Sequence, residues 1–281
     1  MDAIMKTIAM VVILYGKRFE ESKTLQSLMR FSHQLDQLLI VNNGPESLDS
    51  HDSFFIALSK KHKHVEFENQ IQNKPLSWIY NDFIRKYNAD RYVIFDDDTI
   101  IPIDYCEKIL FDTGYYDLGL PSIKSSHDNK IYYPVINSRC KEVLEKYYQY
   151  SKGTYSIGSG IVISDDLKKQ MLKEFDGVFD HHFALYGVDI SLFRRLDKLK
   201  NSGKIVINTR AELFHYLSKF DNEISDFRRK ELLIDQMLQF RWYKVNKIQV
   251  IRMILGMIVR LRISELGLVL KTFIKGKHPR C

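Results

Sequence analysis

Three cysteines in 281 residues, Cys106, Cys140 and Cys281, are too few and too widely spaced to staple a small fold or to hold zinc. They form no CxxC pair, and an odd, sparse set fits a reducing compartment, so the cytosol is expected. Long apolar runs are missing as well. In the most apolar stretch, only seven uncharged residues separate Arg252 from Arg260, where a bilayer-spanning helix needs about 20. The first ten residues lack a basic stretch followed by an apolar core, so no signal peptide is read. There is no internal repeat and no low-complexity linker. Nor is there the surface-wide positive charge of a nucleic-acid binder. The net charge is +7, yet residues 244–281 alone hold nine Lys/Arg against one acid, Glu265. The remainder is close to neutral, which argues against nucleic acid as a partner and asks what the basic end binds.

The first half of the chain alternates strand and helix patterns. Strands are predicted at 7–14, 37–41, 65–68 and 91–95, and helices at 20–35, 53–61 and 75–87, with Pro75 near the first turn of the last. That alternation predicts an α/β fold, a mostly parallel sheet with helices on both faces. Further strands are read at 117–123, 131–135, 153–164 and 204–208, and helices at 165–174 and 189–199. Residues 222–275 read as largely helical. The expected organisation is a catalytic unit over 1–221, its nucleotide-binding half at about 5–100 and its acceptor half at about 101–221, followed by a helical basic segment over 222–281.

The strand at 91–95 runs into Asp96-Asp97-Asp98. Three adjacent carboxylates repel one another, and a hard divalent cation, Mg²⁺ or Mn²⁺, would relieve that repulsion. In open α/β sheets, ligands gather at the carboxyl ends of strands. The plainer alternative is a solvated acidic turn.

Six segments in order resemble an inverting glycosyltransferase of family 2 with the GT-A, Rossmann-like nucleotide-sugar fold. They are "VNNG" after the second strand, "NKPLSWIYN" before a helix, "IFDDDTIIP", "GSGIVIS", "FDHHFALYGVDISLFRRL" and "HYLS", and the resemblance covers about residues 5–220. It implies a nucleotide-diphosphate sugar as donor, Mn²⁺ or Mg²⁺ as cofactor and a saccharide as acceptor. It assigns direct metal contact to Asp98, the ribose or a metal-bound water to Asp96, completion of the metal shell to His215, and the general base to Asp189. Candidate donor contacts are Tyr15, Asn42, Asn43, Asn73, Asn81, Asp96, Asp97, Gly158 and Ser159. Each has a plainer reading. Asn42 with Asn43 fits a simple Asn-Gly turn, Asn81 fits capping or packing, and Asp97 should point away from its neighbours by strand alternation. Gly158 to Gly160 fits a β-bulge, His215 a core histidine, and Asp189 an N-cap. The chain departs from the family pattern at Val188, Ser191 and His181, where acids are common.

The basic end, too interrupted to span a membrane, reads as lying on an anionic membrane surface. The alternative is a helix packed on the catalytic unit. Together these features suggest sugar transfer to a lipid-linked saccharide at the cytoplasmic face of the cell membrane, as in surface polysaccharide assembly. A metal-dependent nucleotidyltransferase and a non-catalytic membrane-associated adaptor are the competing readings. The first would want a phosphate-binding loop that "LYGKRFEE" supplies poorly.

Overall fold

A computed structural model describes residues 6–136, 139–140, 147–217, 225–244 and 247–281. Its strands are β1 (Ile8–Leu14), β2 (Gln37–Asn42), β3 (Val65–Asn69), β4 (Arg91–Asp96), β5 (Leu118–Gly119), β6 (Ser122–Ser125), β7 (Ile131–Tyr133), β8 (Val135–Ile136), β9 (Arg139–Cys140), β10 (Tyr147–Gln149), β11 (Ile161–Ser164), β12 (Val206–Asn208) and β13 (Glu212–His215). Its helices are α1 (Lys23–Met29), α2 (Ser53–Lys61), α3 (Leu76–Lys86), α4 (Asp165–Glu174), α5 (Val188–Lys198), α6 (Asp226–Tyr243), α7 (Lys247–Val259) and α8 (Ile263–Lys275).

Eight of these strands form one mixed sheet in the order β10-β12-β5-β11-β4-β1-β2-β3. β4, β1, β2 and β3 run parallel, and β11 is antiparallel to both of its neighbours. β1 explains the layering. All seven of its residues are buried, as expected of a strand covered on both faces. Ala9, Val11 and Ile13 pack with side chains of α3, α4, α5 and α6. Ile8, Met10, Val12 and Leu14 pack on the opposite face with α1 and α2. Each such side chain contributes roughly 1.5–3 kcal/mol by leaving water, so this strand anchors the sheet. A smaller sheet has the order β13-β6-β7.

The expected α/β architecture is therefore present, with local departures. The helix expected over 20–35 is a short 3-10 turn at Phe19–Glu21 followed by α1, because the Ser22 side chain accepts from Leu25 N and starts a new helix there. The strand expected over 117–123 divides at Pro121, which has no N–H for the ladder. β5 then stays in the large sheet and β6 joins the small one. Of the strand expected over 153–164, only Ile161–Ser164 forms a strand of the sheet, and Tyr155 makes an isolated antiparallel bridge to Val135. Gly160 sits at φ +87°, where a Cβ would lie 2.3 Å from Leu213 Cδ1, so only glycine closes that turn.

The C-terminal region is three helices broken at Lys244 and Leu261, both at positive φ. It packs on the core. Ile234 and Leu238 of α6 belong to the main hydrophobic cluster. Tyr243 Oη donates to Asp180 at 2.7 Å, and Trp242 Nε1 donates to the Gly276 carbonyl at 2.7 Å. His278 and Arg280 both reach the buried Glu231. Among the described residues, no helix is long and apolar enough to cross a membrane. The expected boundary at 221–222, Ser218 of the last motif and the first five residues of the chain lie outside the described residues.

Candidate active site

The parallel register fixes where the site lies. Ile13 pairs with Asp96 and Leu14 with Asn42, so β1, β2 and β4 all end at one level. Just beyond, Tyr15, Asn43 and Asp96 to Asp98 line a cleft of about 650 Å³, a volume suited to a small-molecule ligand. The facing wall comes from the loop before α5, from Asp189 and from α6.

The three carboxylates do different things. Asp97 Oδ2 accepts from Tyr15 N at 3.0 Å, and its other oxygen pairs with Lys17. It thus ties the ends of β1 and β4 together, although it still borders the cleft. Asp96 is deep, and burial together with the charges of Asp98, Asp189 and Asp97 pushes its pKa well above the ordinary carboxylate range. Asp98 Oδ1 lies 3.1 Å from His215 Nδ1. That ring nitrogen is bonded instead to Thr99 Oγ1 at 2.9 Å, leaving Asp98 Oδ1 buried without a hydrogen-bond donor. Burial lowers the His215 pKa, with Asp98 and Asp97 opposing, so the ring is neutral near pH 7. One ligand atom from each of Asp96, Asp98 and His215 lies within 4.8 Å of the others. An orphaned buried carboxylate oxygen, a crowded neighbour and a neutral imidazole form a donor set that fits Mn²⁺ or Mg²⁺.

Asp189 comes from a separate element. Gly187, at φ +79°, occupies the N-cap position of α5, and Asp189 sits in the first turn. Its side chain does not cap the helix but accepts from Gly158 N at 2.9 Å. Burial raises its pKa to about 6, against the pull of the Gly158 N–H. A carboxylate raised that far is suited to take a proton near neutral pH.

The other sequence candidates divide in two. Tyr15, Asn43 and Asn73 line the cleft. Asn43 Nδ2 donates to the Lys74 carbonyl at 3.0 Å, while its Oδ1 is buried with no partner. Asn73 Oδ1 accepts from Arg280 at 2.6 Å. Asn42 and Asn81 lie elsewhere. Asn42 is buried and bonded to Asn69, Glu46 and Gly44. Asn81 clamps the backbone of Phe179 through both ends of its amide. Neither borders the cleft, and both amides are engaged within the protein. Ser159 is buried behind the carboxylates, where its Oγ accepts from Asp96 N at 3.1 Å. Gly158 acts on Asp189 through its N–H.

Sequence reasoning misses the part that α6 plays in the site. Phe227, Arg228, Leu232 and Asp235 all border the cleft. Burial, with the charge of Asp189 adding to it, raises Asp235 to about 6. Gly187 makes room for it, since a Cβ there would stand 1.9 Å from Asp235 Oδ1. Glu231, Ile234, Asp235 and Leu238 recur at helical spacing, and two acids on a packing face are the available signal. Asp180, His181 and His182 form a second close cluster, but Asp180 is taken by His182, Tyr243 and Arg195.

No protein-family model matches the sequence, and neither does any curated protein. The fold has solved relatives. It is similar to GalNAc-T7, solved with UDP, GalNAc and Mn²⁺, at TM-score 0.57 and 9% identity over 86% of this chain and 50% of that one. It is similar to S. aureus TarS residues 1–349 at TM-score 0.55 and 11% identity, over 97% of this chain and 93% of that one. The mannosyltransferase PcManGT from Pyrobaculum calidifontis, solved with GDP-Man and Mn²⁺, is similar at TM-score 0.51 and 12% identity over 95% of this chain and 74% of that one. The chain thus spans half the length of GalNAc-T7. These neighbours are GT-A glycosyltransferases, and the fold of this chain is of that kind.

Proposed function

We propose that this protein is a metal-dependent, inverting glycosyltransferase of the family 2 type. It moves a sugar from a nucleotide-diphosphate donor to a hydroxyl of a saccharide acceptor. One observation carries the reading. A single cleft joins the Asp96, Asp98 and His215 constellation at the strand ends to Asp189 on another element. The neighbours solved with UDP-GlcNAc or with GDP-Man and Mn²⁺ support the donor class.

The chemistry follows from the residues. The acceptor oxygen attacks the anomeric carbon while Asp189 takes its proton. The bond from that carbon to the diphosphate oxygen breaks on the opposite side, and its electron pair leaves with the nucleoside diphosphate. Asp98 and His215, with Asp96 beside them, would hold Mn²⁺ or Mg²⁺. The ion, when bound, supplies Lewis-acid neutralisation of charge on the leaving group. Gly158 N–H fixes the Asp189 carboxylate, and Asp97 with Lys17 fixes the edge of the nucleoside side. Lys17 is thereby engaged, which further weakens the nucleotidyltransferase alternative. The acceptor we assign is a lipid-linked saccharide at the cytoplasmic membrane face, in surface polysaccharide biosynthesis.

The test is thermal shift and hydrolysis with UDP-, dTDP- and GDP-sugars, with and without Mn²⁺. A cognate donor at 100-fold its Kd should stabilise the protein by about 2.7 kcal/mol, and only with the metal. No stabilisation by any nucleotide sugar in the presence of Mn²⁺ overturns the reading.

A further inference from the structure

The last two helices turn apolar side chains outward as well as inward. Along α7, Val250 and Met257 are buried in a cluster with Met237 of α6 and Val269 of α8. Ile248, Ile251 and Leu255 recur at i, i+3 and i+7 and are 67%, 57% and 55% exposed, so they form a second stripe on the solvent side. In α8, Val269 and Thr272 are buried while Ile263, Leu270 and Ile274 stay exposed at i, i+7 and i+11. At the junction of the two helices, Val259 and Leu261 are 81% and 80% exposed. A helix needs only one apolar face to pack, and a second such face left in water marks a binding surface.

Charge selects the occupant. Lys247, Arg252, Arg260, Lys271 and Lys275 are all exposed and flank these stripes. The one acid of the segment, Glu265, is buried and paired with Arg229 at 3.0 Å and Arg262 at 3.5 Å. The outward surface of 247–275 therefore presents apolar and cationic groups and no exposed anion. Aliphatic side chains framed by Lys and Arg are what the interface of an anionic bilayer accepts.

We infer that the outward face of the α7–α8 hairpin docks on an anionic lipid bilayer, with Val259 and Leu261 at the point of deepest entry. α6 packs against α8 and also lines the cleft, so the docked hairpin holds the cleft at a set height over the lipid. This docking does not depend on the chemistry of the cleft and stands or falls apart from it.

The experiment is flotation of the full chain with vesicles of phosphatidylcholine alone or with phosphatidylserine, at low and high salt. Flotation is expected with phosphatidylserine at low salt, and salt should weaken it by screening. V259D/L261D should abolish flotation while Tm and far-UV circular dichroism stay as in wild type, because both side chains face solvent. K271A/K275A should lower partitioning about fivefold per charge removed. Absent or salt-independent flotation of the full chain would overturn the inference, as would equal flotation on both vesicles. So would a V259D/L261D variant that floats like wild type. A lipid-free dimer dissociated by V259D/L261D would assign the face to a second copy instead.

Discussion

Replacing Asp189 by Asn separates what the carboxylate costs the fold from what it does for transfer. An ordinary aspartate titrates at 3.8, and burial moves Asp189 to about 6. That difference is about two pH units, or ~3 kcal/mol at 1.36 kcal/mol per unit. The sign follows from linkage. The folded state holds its proton more tightly than the unfolded chain, so the favourable contribution is present below pH 3.8 and is lost as pH rises through about 6. At pH 8 the folded protein carries the full penalty of a desolvated anion. Asn keeps the shape, can still accept from Gly158 N and carries no charge. Water penetration reduces the penalty, so a gain of about 1–3 kcal/mol is expected at pH 8, raising Tm by several degrees. At pH 5, between the two pKa values, about half of that gain should vanish. Transfer should fall about 10²–10⁴-fold while donor affinity is kept. The assay is differential scanning fluorimetry of metal-free protein at both pH values, beside initial rates. A variant less stable than wild type at pH 8, or a shift that is the same at both, would refute the desolvated anion. Near-normal transfer would move the base elsewhere.

Asp98→Asn should abolish Mn²⁺-dependent donor binding by isothermal titration yet leave Tm within a few degrees of wild type; unchanged binding would remove Asp98 from the metal site. Gly187→Ala places a Cβ 1.9 Å from Asp235 Oδ1 at φ +79°, so a loss of about 1–3 kcal/mol is expected, and a neutral effect in urea unfolding would contradict the packing. Truncation after Tyr243 strips buried Glu231 of His278 and Arg280 and uncovers the cluster around Met237, which should cost about 3–5 kcal/mol and cause aggregation. A soluble truncated protein with wild-type Tm would show that the last helices are dispensable to the core.

What is legible in the sequence is local. α2 and α4 can be placed to the residue because Asp52 and Ser164 cap them through neighbours two or three positions away. The run into Asp96 to Asp98 stands out because like charges at the end of a buried strand repel one another unless a cation meets them. What escapes depends on partners distant in the chain. The Asn81 amide is spent on Phe179, 98 residues away, and no spacing near Asn81 records that. Asp189 has the residue type and position of an N-cap, and only the approach of Gly158 reveals that its carboxylate is held for another use.

The C-terminal region shows the same limit in sharper form. Its charge imbalance points to a tail either on a membrane or on the domain, as though the two excluded each other. The helices present a different face for each, one buried and one exposed. Met237, Val250, Met257 and Val269 turn inward, and Glu231 anchors His278 and Arg280. Arg280 in turn bonds Asn73 at the rim of the cleft. A composition count sums over a helix and cannot tell its two sides apart, whereas burial residue by residue can. The same segment that supplies Asp235 to the cleft is continuous with the surface proposed to meet lipid. A substitution in the α6–α8 packing would therefore be felt in the cleft and at the membrane together, while V259D/L261D should be felt only at the membrane.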